Sequence, residues 1–475
     1  MLEKLFKLKE NNTTVKTEIV AGLTTFLTIA YIIALQPNIL TNYGEGGQKL
    51  WNSVFLATCI ASAIAMTAMA LLANKPFCLG PGMGINNFFA LVVANLIAMT
   101  GMQYVEAFQS VMCIVLFEGI VFLLLSVFNI REKIVDSIPL GVRLGIAPAI
   151  GLMLMNIGFG SNVYIADDNY NQFFIMRDFF GALTAKRAKE LMGSAYPTMV
   201  LSVITLFVGL FVIVILAGKK IRASVIIGIL VASVVNWIGQ AVFLHQNPFA
   251  ALETASFVPA FGDLVETTLF KFNFKGLTSL GIFTVITLVV TFCIIDMFDT
   301  IGTLVGTAAR AGMLDKDGNM PQMKEALLSD AIGTVSGSLI GTSTITTFIE
   351  SASGVEAGGR TGLTAITTGI MFLLCIFLAP VAAIIPAAAT SSALVYVGIL
   401  MILSLKDLDF SDSAVLVPVA IMLISMPISG SIGHAIGIGI ISYSVLKLCT
   451  GKAKEVHIVT YILAVLFMLK FFLAI

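Results

Sequence analysis

The chain has 475 residues, of which 58% are hydrophobic and 11% charged, and its mean hydropathy is +1.00. Ordinary soluble domains carry about 25% charged residues, so this composition excludes a disordered chain, a nucleic-acid-binding surface and a conventional water-soluble enzyme. The 27 basic and 27 acidic residues cancel, so net charge points to no polyanionic partner.

A spanning helix needs about 20 apolar residues. The apolar runs here are long and continuous, whereas a transmembrane β-barrel would alternate. The expected class is an all-α polytopic membrane protein. The mixed-charge opening, residues 1–18, lacks the pattern of a cleaved signal peptide. The runs then predict spans over 19–39, 52–73, 83–100, 107–128, 139–158, 198–217 and 222–241. Further spans are predicted over 278–304, 327–341, 347–357, 362–384, 388–404, 414–428 and 431–449. A last apolar stretch, 457–474, reads as either a fifteenth span or an interfacial helix. With the N-terminus placed in the cytoplasm, basic residues in inside loops outnumber those in outside loops 19 to 7, which agrees with the positive-inside rule for fourteen spans. The cysteines (Cys59, Cys78, Cys113, Cys293, Cys375 and Cys449) form no C-x-x-C pair and read as packing residues.

A faint internal duplication divides the chain. An Ile-Pro pair precedes the run at 138–139 and again at 385–386. Seven spans separate the copies, so the second would be inverted. The third span of each half, near 83 and near 347, is short and interrupted. Paired broken helices at matching positions point to a transporter's binding site.

The first break reads PFCLGPGMGINNFFA. Pro76, Pro81 and the glycines at 80, 82 and 84 cannot sustain a regular helix. A helix is expected to start near Asn86, with its positive end toward a cavity. Asn86 and Asn87 offer amide donors and acceptors, and Phe88 and Phe89 offer flat apolar faces, a combination suited to a small planar heterocycle. A buried kink with asparagine caps is the plainer alternative. The second break reads GTSTITTFIESASGVEAGGRTGLTA. Its Thr/Ser run, 342–347, suggests a short extended piece, and Thr347 joins the candidate binding set. Glu350 starts a short helix that Gly358 and Gly359 end, with Arg360 beyond. A carboxylate at such a break can accept ring N–H or exocyclic amine groups.

The clear acids within apolar runs are Glu118, Asp296, Asp299 and Glu350. Each needs a partner, a water-filled cavity or a proton. Asp296 and Asp299 are three residues apart and share a helix face. If both ionise they repel, so a proton held at the pair suits a proton carrier. A structural tie is the competing role for Asp296, and a packing role competes for Glu118. His434 opens a Gly-rich span, where close packing explains it, and His245 and His457 sit at loop or span boundaries. The chain has no Walker, Rossmann or serine-nucleophile pattern to support ATP drive or hydrolysis.

The stretches EIVAGLTTFLTIAYIIALQPNIL (18–40), LGPGMGINNFF (79–89), DMFDTIGTLVG (296–306) and GTSTITTFIESASGVEAGGRTGLTA (341–365) resemble the hypoxanthine/guanine permease family. These are the azaguanine-resistance transporters of the nucleobase–ascorbate transporter group. The resemblance implies fourteen spans in two inverted seven-span repeats, with broken helices and short extended segments in spans 3 and 10. It implies a core domain over 19–128 and 278–384, a gate domain over 139–241 and 388–449, and a C-terminal apolar helix over 457–474. The implied function is secondary active import of purine bases, hypoxanthine or guanine with adenine also admitted. Import would proceed by proton symport, with no cofactor and no metal.

By the same resemblance Glu350 and Asp299 bind the base, Phe88 stacks on it and Asn86 positions it; Asn87 and Thr347 join the candidate binding set on their own side-chain chemistry. Proton coupling falls to Asp299, Asp296 or Glu350. The implied partners are the purine and the lipid bilayer, with no nucleic acid; a homodimer is allowed. The implied place is the cell membrane. The chain departs from the family's pattern at Asn87, at Glu356 and in the outside loop 160–196. Two other readings compete. An anion transporter on the same architecture would want a cation at the helix break, and an intramembrane aspartyl protease would want its two acids on different helices.

Overall fold

The computed structural model describes residues 2–128, 139–160, 190, 193, 196–221, 223–253, 256–310, 313, 320–348, 350–408, 410–429 and 432–473. Most of the 160–196 loop and Ile138 of the first Ile-Pro pair lie outside these residues, and so does the side chain of Asn87. The main helices in chain order are α1 (Val15–Ile29), α2 (Ile32–Leu40), α3 (Gly47–Ala68), α4 (Met83–Thr100), α5 (Tyr104–Val127) and α6 (Leu140–Phe159). They continue with α7 (Tyr196–Gly218), α8 (Ser224–Phe243), α9 (Phe261–Thr267), α10 (Ile282–Arg310), α11 (Met323–Ile340) and α12 (Ser351–Glu356). The last are α13 (Gly362–Cys375), α14 (Ala387–Ile402), α15 (Ser413–Ser429), α16 (Ile432–Cys449) and α17 (Ile458–Leu473). Two three-residue strands, β1 (Leu79–Pro81) and β2 (Ile345–Thr347), interrupt this helical chain.

Six of the described helical stretches are long and apolar enough to cross a membrane: Val15–Leu40, Gly47–Ala73, Tyr104–Val127, Tyr196–Gly218, Ser224–Phe243 and Gly362–Ala383. Shorter apolar helices occur at several of the other expected runs, among them Phe88–Thr100, Ala387–Ile402 and Ser413–Ser429, whereas the expected span 347–357 holds only the six-residue α12 after β2. The first span is interrupted at Ala30 and Tyr31, between α1 and α2. Thr24, Thr25 and Thr28 turn their hydroxyls back onto carbonyls three or four residues earlier, and such back-bonding loosens and bends a helix. Pro37 within α2 withholds a further backbone donor.

Two compact units form. The first comprises Met1–Arg143, Val258–Ala379 and Ile440–Ile475. Within it α11 packs on α3 and α5, and α13 packs on α1 and α3. Polar ties reinforce that packing. The fully buried Glu18 carboxylate accepts from Arg360 N at 2.9 Å, Thr361 N at 3.2 Å and Thr364 Oγ1 at 2.6 Å. These bonds satisfy donors at the start of α13 that have no intrahelical acceptor.

The second unit comprises Leu144–Phe257 and Pro380–Gly439. Here α7, α8 and α14 pack on one another around Phe159, Leu206, Leu210, Ala388 and Val395. Gly151 of α6 and Gly398 of α14 let two backbones touch, since a Cβ on either would meet the other's carbonyl oxygen. Asn236 adds a buried polar tie, donating Nδ2 to Thr205 Oγ1 at 2.9 Å.

Candidate functional site

Both breaks anticipated from the sequence lie in the first unit, and they meet. β1 and β2 pair antiparallel, with Leu79 opposite Thr347, Gly80 opposite Thr346 and Pro81 opposite Ile345. Phe348 N donates to Cys78 O and Gly82 N donates to Thr344 O, each at 3.0 Å, so the pairing continues one bond past either end. Two unwound segments far apart in sequence thus satisfy each other's backbone groups, which resolves the cost of burying irregular chain. Gly82 is required by close approach. A Cβ there would lie 3.0 Å from Thr346 Cγ2, 3.1 Å from Thr346 Oγ1 and 3.5 Å from Asp299 Oδ2. α4 starts at Met83 rather than near Asn86, because the extended Gly82 serves as its N-cap.

Asp299 and Glu350 flank this crossing. α10, which carries Asp299, packs on β2, α4 and α12, and Asp299 is within electrostatic reach of Glu350 and Asp330. Glu350 occupies the N-cap position of the six-residue α12. Its Oε1 accepts from Tyr31 Oη at 3.0 Å, and its backbone carbonyl accepts from Ser353 Oγ at 2.6 Å. Asp299 and Glu350 remain partly exposed, whereas Glu118, Asp296 and Asp330 are fully buried. Exposure therefore separates acids open to a ligand from acids enclosed by protein.

The enclosed acids each meet a threonine hydroxyl. Thr344 Oγ1 donates to Glu118 Oε2 at 2.6 Å. Thr300 Oγ1 lies 3.2 Å from Asp296 Oδ1 and 3.1 Å from Asp330 Oδ1, bridging two carboxylates. Asp330 was not expected from the sequence. It stands three residues into the 327–341 run and reads there as a span-edge residue, although an acid inside an apolar run was the available signal.

Asn86 lies behind the crossing. It is fully buried, and its amide pairs head-to-head with Gln36: Asn86 Nδ2 donates to Gln36 Oε1, while Gln36 Nε2 lies 3.3 Å from Asn86 Oδ1. Ser343 Oγ donates to Asn86 Oδ1. Gln36 Nε2 reaches Ser343 Oγ at 2.9 Å and Thr342 Oγ1 at 3.2 Å, and Thr58 Oγ1 is 3.2 Å from Thr342 Oγ1. This network ties α2, α3 and α4 to the segment entering β2.

Phe88 is buried against Phe292 of α10, their centroids 4.9 Å apart and their planes at 50°. Phe292, one turn before Asp296, was another residue the sequence did not single out. Phe89 packs edge-on against Phe108. Alternation along β2 puts Thr347 on the face of Ile345, which packs toward Gly333 of α11. Thr346 takes the opposite face, beside Gly82 and Asp299. Arg360 donates Nη1 to Val355 O and Gly359 O, each at 2.7 Å, closing the end of α12. Glu356 and His434 are exposed.

Chemically, the crossing presents the carboxylates of two partly exposed residues, a tyrosine hydroxyl and a pair of phenylalanine rings. Carboxylates accept N–H donors, and a small flat ring provides both such donors and a face to pack against.

A model of the permease family matches residues 16–438 of the chain. The adenine permease AdeP of Escherichia coli is 37% identical over 470 residues, covering 99% of this chain and 96% of that protein. The guanine/hypoxanthine permease PbuO of Bacillus subtilis is 33% identical over 478 residues, covering 99% of this chain and 100% of that protein. Among solved structures, the transmembrane domain of the cyanobacterial bicarbonate transporter BicA superposes with a TM-score of 0.60 at 14% identity, covering 89% of this chain and 97% of that one. At that identity the likeness concerns the fold alone.

Proposed function

The chain belongs to the permease family and is a transporter rather than an enzyme, and from that premise we propose that it carries purine bases across the cell membrane by proton symport. The observation that carries this reading is the pair of partly exposed acids, Asp299 and Glu350, beside the crossing of two broken segments. Support comes from relatives named as permeases of adenine and of guanine and hypoxanthine. In this proposal Glu350 and Asp299 accept N–H groups of the base and Phe88 packs against its ring. Asn86 acts from behind, holding the segment that enters β2. Thr346 is the strand residue nearest the base.

We propose fourteen spans in two inverted repeats, with the N-terminus in the cytoplasm. The first unit serves as the core that carries the base and the second as the gate of an alternating-access cycle. The proton rides on Asp299 or on the buried Asp296. An anion carrier fits less well, because Arg360, the cation that follows the second break, is spent on two carbonyls of its own segment.

The test is uptake of tritiated hypoxanthine, guanine and adenine in a permease-deficient host, with and without a protonophore. Glu350→Gln and Asp299→Asn are expected to abolish uptake while surface expression persists. Normal uptake in both variants would remove the site assignment.

A further inference from the structure

Span 1 is zipped to the short helix that carries Glu350. Thr28 Oγ1 lies 3.0 Å from Ser353 Oγ, and Ser353 Oγ in turn donates to the Glu350 carbonyl at 2.6 Å. Gly354 lies so close to Thr25 that a Cβ there would run into the Thr25 hydroxyl. Further along span 1, between α1 and α2, is Tyr31. It is 4% exposed, and its hydroxyl meets Glu350 Oε1 at 3.0 Å.

We propose that Tyr31 is a positioning residue for base binding, holding one oxygen of Glu350 so that the other faces the substrate. This rests on the reading that Glu350 accepts from a purine. A carboxylate at the end of a flexible side chain can spread its acceptor sites over several orientations. A fixed hydrogen bond to one oxygen selects one of them before the base arrives, so less ordering remains to be done on binding. The ring of Tyr31 is packed in the interior at 4% exposure, which makes its hydroxyl a well-placed reference point. Tyr31 touches no part of the base in this arrangement. It acts through Glu350.

The test compares Tyr31→Phe with Thr28→Val in whole-cell uptake of tritiated hypoxanthine and adenine, using the base that the wild type takes up with the lower KM. Tyr31→Phe removes one oxygen and keeps the packing. It is expected to raise KM about tenfold, the effect of losing one hydrogen bond to a charged group, with Vmax per surface transporter kept within about twofold, the pattern of lost ground-state binding. Thr28→Val breaks the neighbouring Thr28–Ser353 contact and is expected to leave KM unchanged.

A wild-type KM in Tyr31→Phe would overturn the proposal. Equal KM rises in both variants would also overturn it, since the effect would then be helix packing. Glu350→Gln, run alongside, separates this failure from a deeper one. If it keeps the wild-type KM, the reading of the site falls, and the role of Tyr31 falls with it.

Discussion

Five carboxylates of the first unit lie around the crossing, apart from Glu18 at the start of α13, and burial sorts them. Glu118, Asp296 and Asp330 are enclosed and meet threonine hydroxyls; Asp299 and Glu350 keep a share of exposure. Asn86 belongs with the enclosed group. Asn86→Ala would leave Gln36 Oε1 without the Asn86 donor and the Ser343 hydroxyl without the Asn86 acceptor, although Gln36 Nε2 keeps Ser343 and Thr342; a buried polar group that loses its partner costs about 1–3 kcal/mol. Purified Asn86→Ala is expected to unfold at a lower temperature than wild type, with uptake lost in proportion to folded protein. A selective rise in KM at unchanged stability would instead return Asn86 to direct contact with the base. Thr346→Val is expected to raise the KM for the base more than Thr347→Val, because the strand turns only Thr346 toward Asp299. That Asp299, Glu350 and Phe88 lie near the breaks was legible from sequence, since acids, aromatics and Pro or Gly within an apolar run are local features. Which threonine of the run shares a face with Gly82 was not legible, because a one-residue shift of strand register exchanges the two faces.

At the scale of elements, the two short strands carry the argument. Proline and glycine predict that the first segment cannot be helical, and the Thr/Ser run suggests that the second is extended; neither says that the segments will pair. Pairing follows from burial: several of each segment's free N–H and C=O groups find partners in the other, and Thr334 Oγ1 and Ser351 Oγ serve Ile345 and Cys78 N. Gly82→Val should therefore push Thr346 away and open the crossing, and uptake is expected to be lost while the protein still reaches the membrane. A second elemental device is the Glu18 cap on α13. Glu18→Ala leaves two backbone donors and the Thr364 hydroxyl without that acceptor, and thermal unfolding is expected to show a loss of about 1–3 kcal/mol. Unchanged stability would mean that water replaces the carboxylate.

For the whole molecule, the fold is shared with carriers of different cargo. The transmembrane domain of the bicarbonate transporter BicA has a similar fold, so fold leaves the cargo open and the side chains at the crossing must decide it. Bicarbonate in excess is expected to leave purine uptake unchanged, whereas unlabelled hypoxanthine, guanine or adenine should compete. Collapse of the proton gradient should reduce accumulation without reducing equilibrium binding to purified protein; binding lost together with accumulation would argue against symport as the coupling.

Sequence by itself determined the membrane class, the positions of most helices, both breaks and the family resemblance. Those features are written in local composition: apolar run length, Pro and Gly within a run, and acids where water is scarce. Tertiary structure decided which broken segment meets which and which acids stay open. It also placed Asn86 behind the crossing, and it brought Tyr31, Phe292 and Asp330 into the picture. These outcomes depend on contacts between residues as many as 319 positions apart, and no local pattern in a single chain encodes which distant partner a side chain will find.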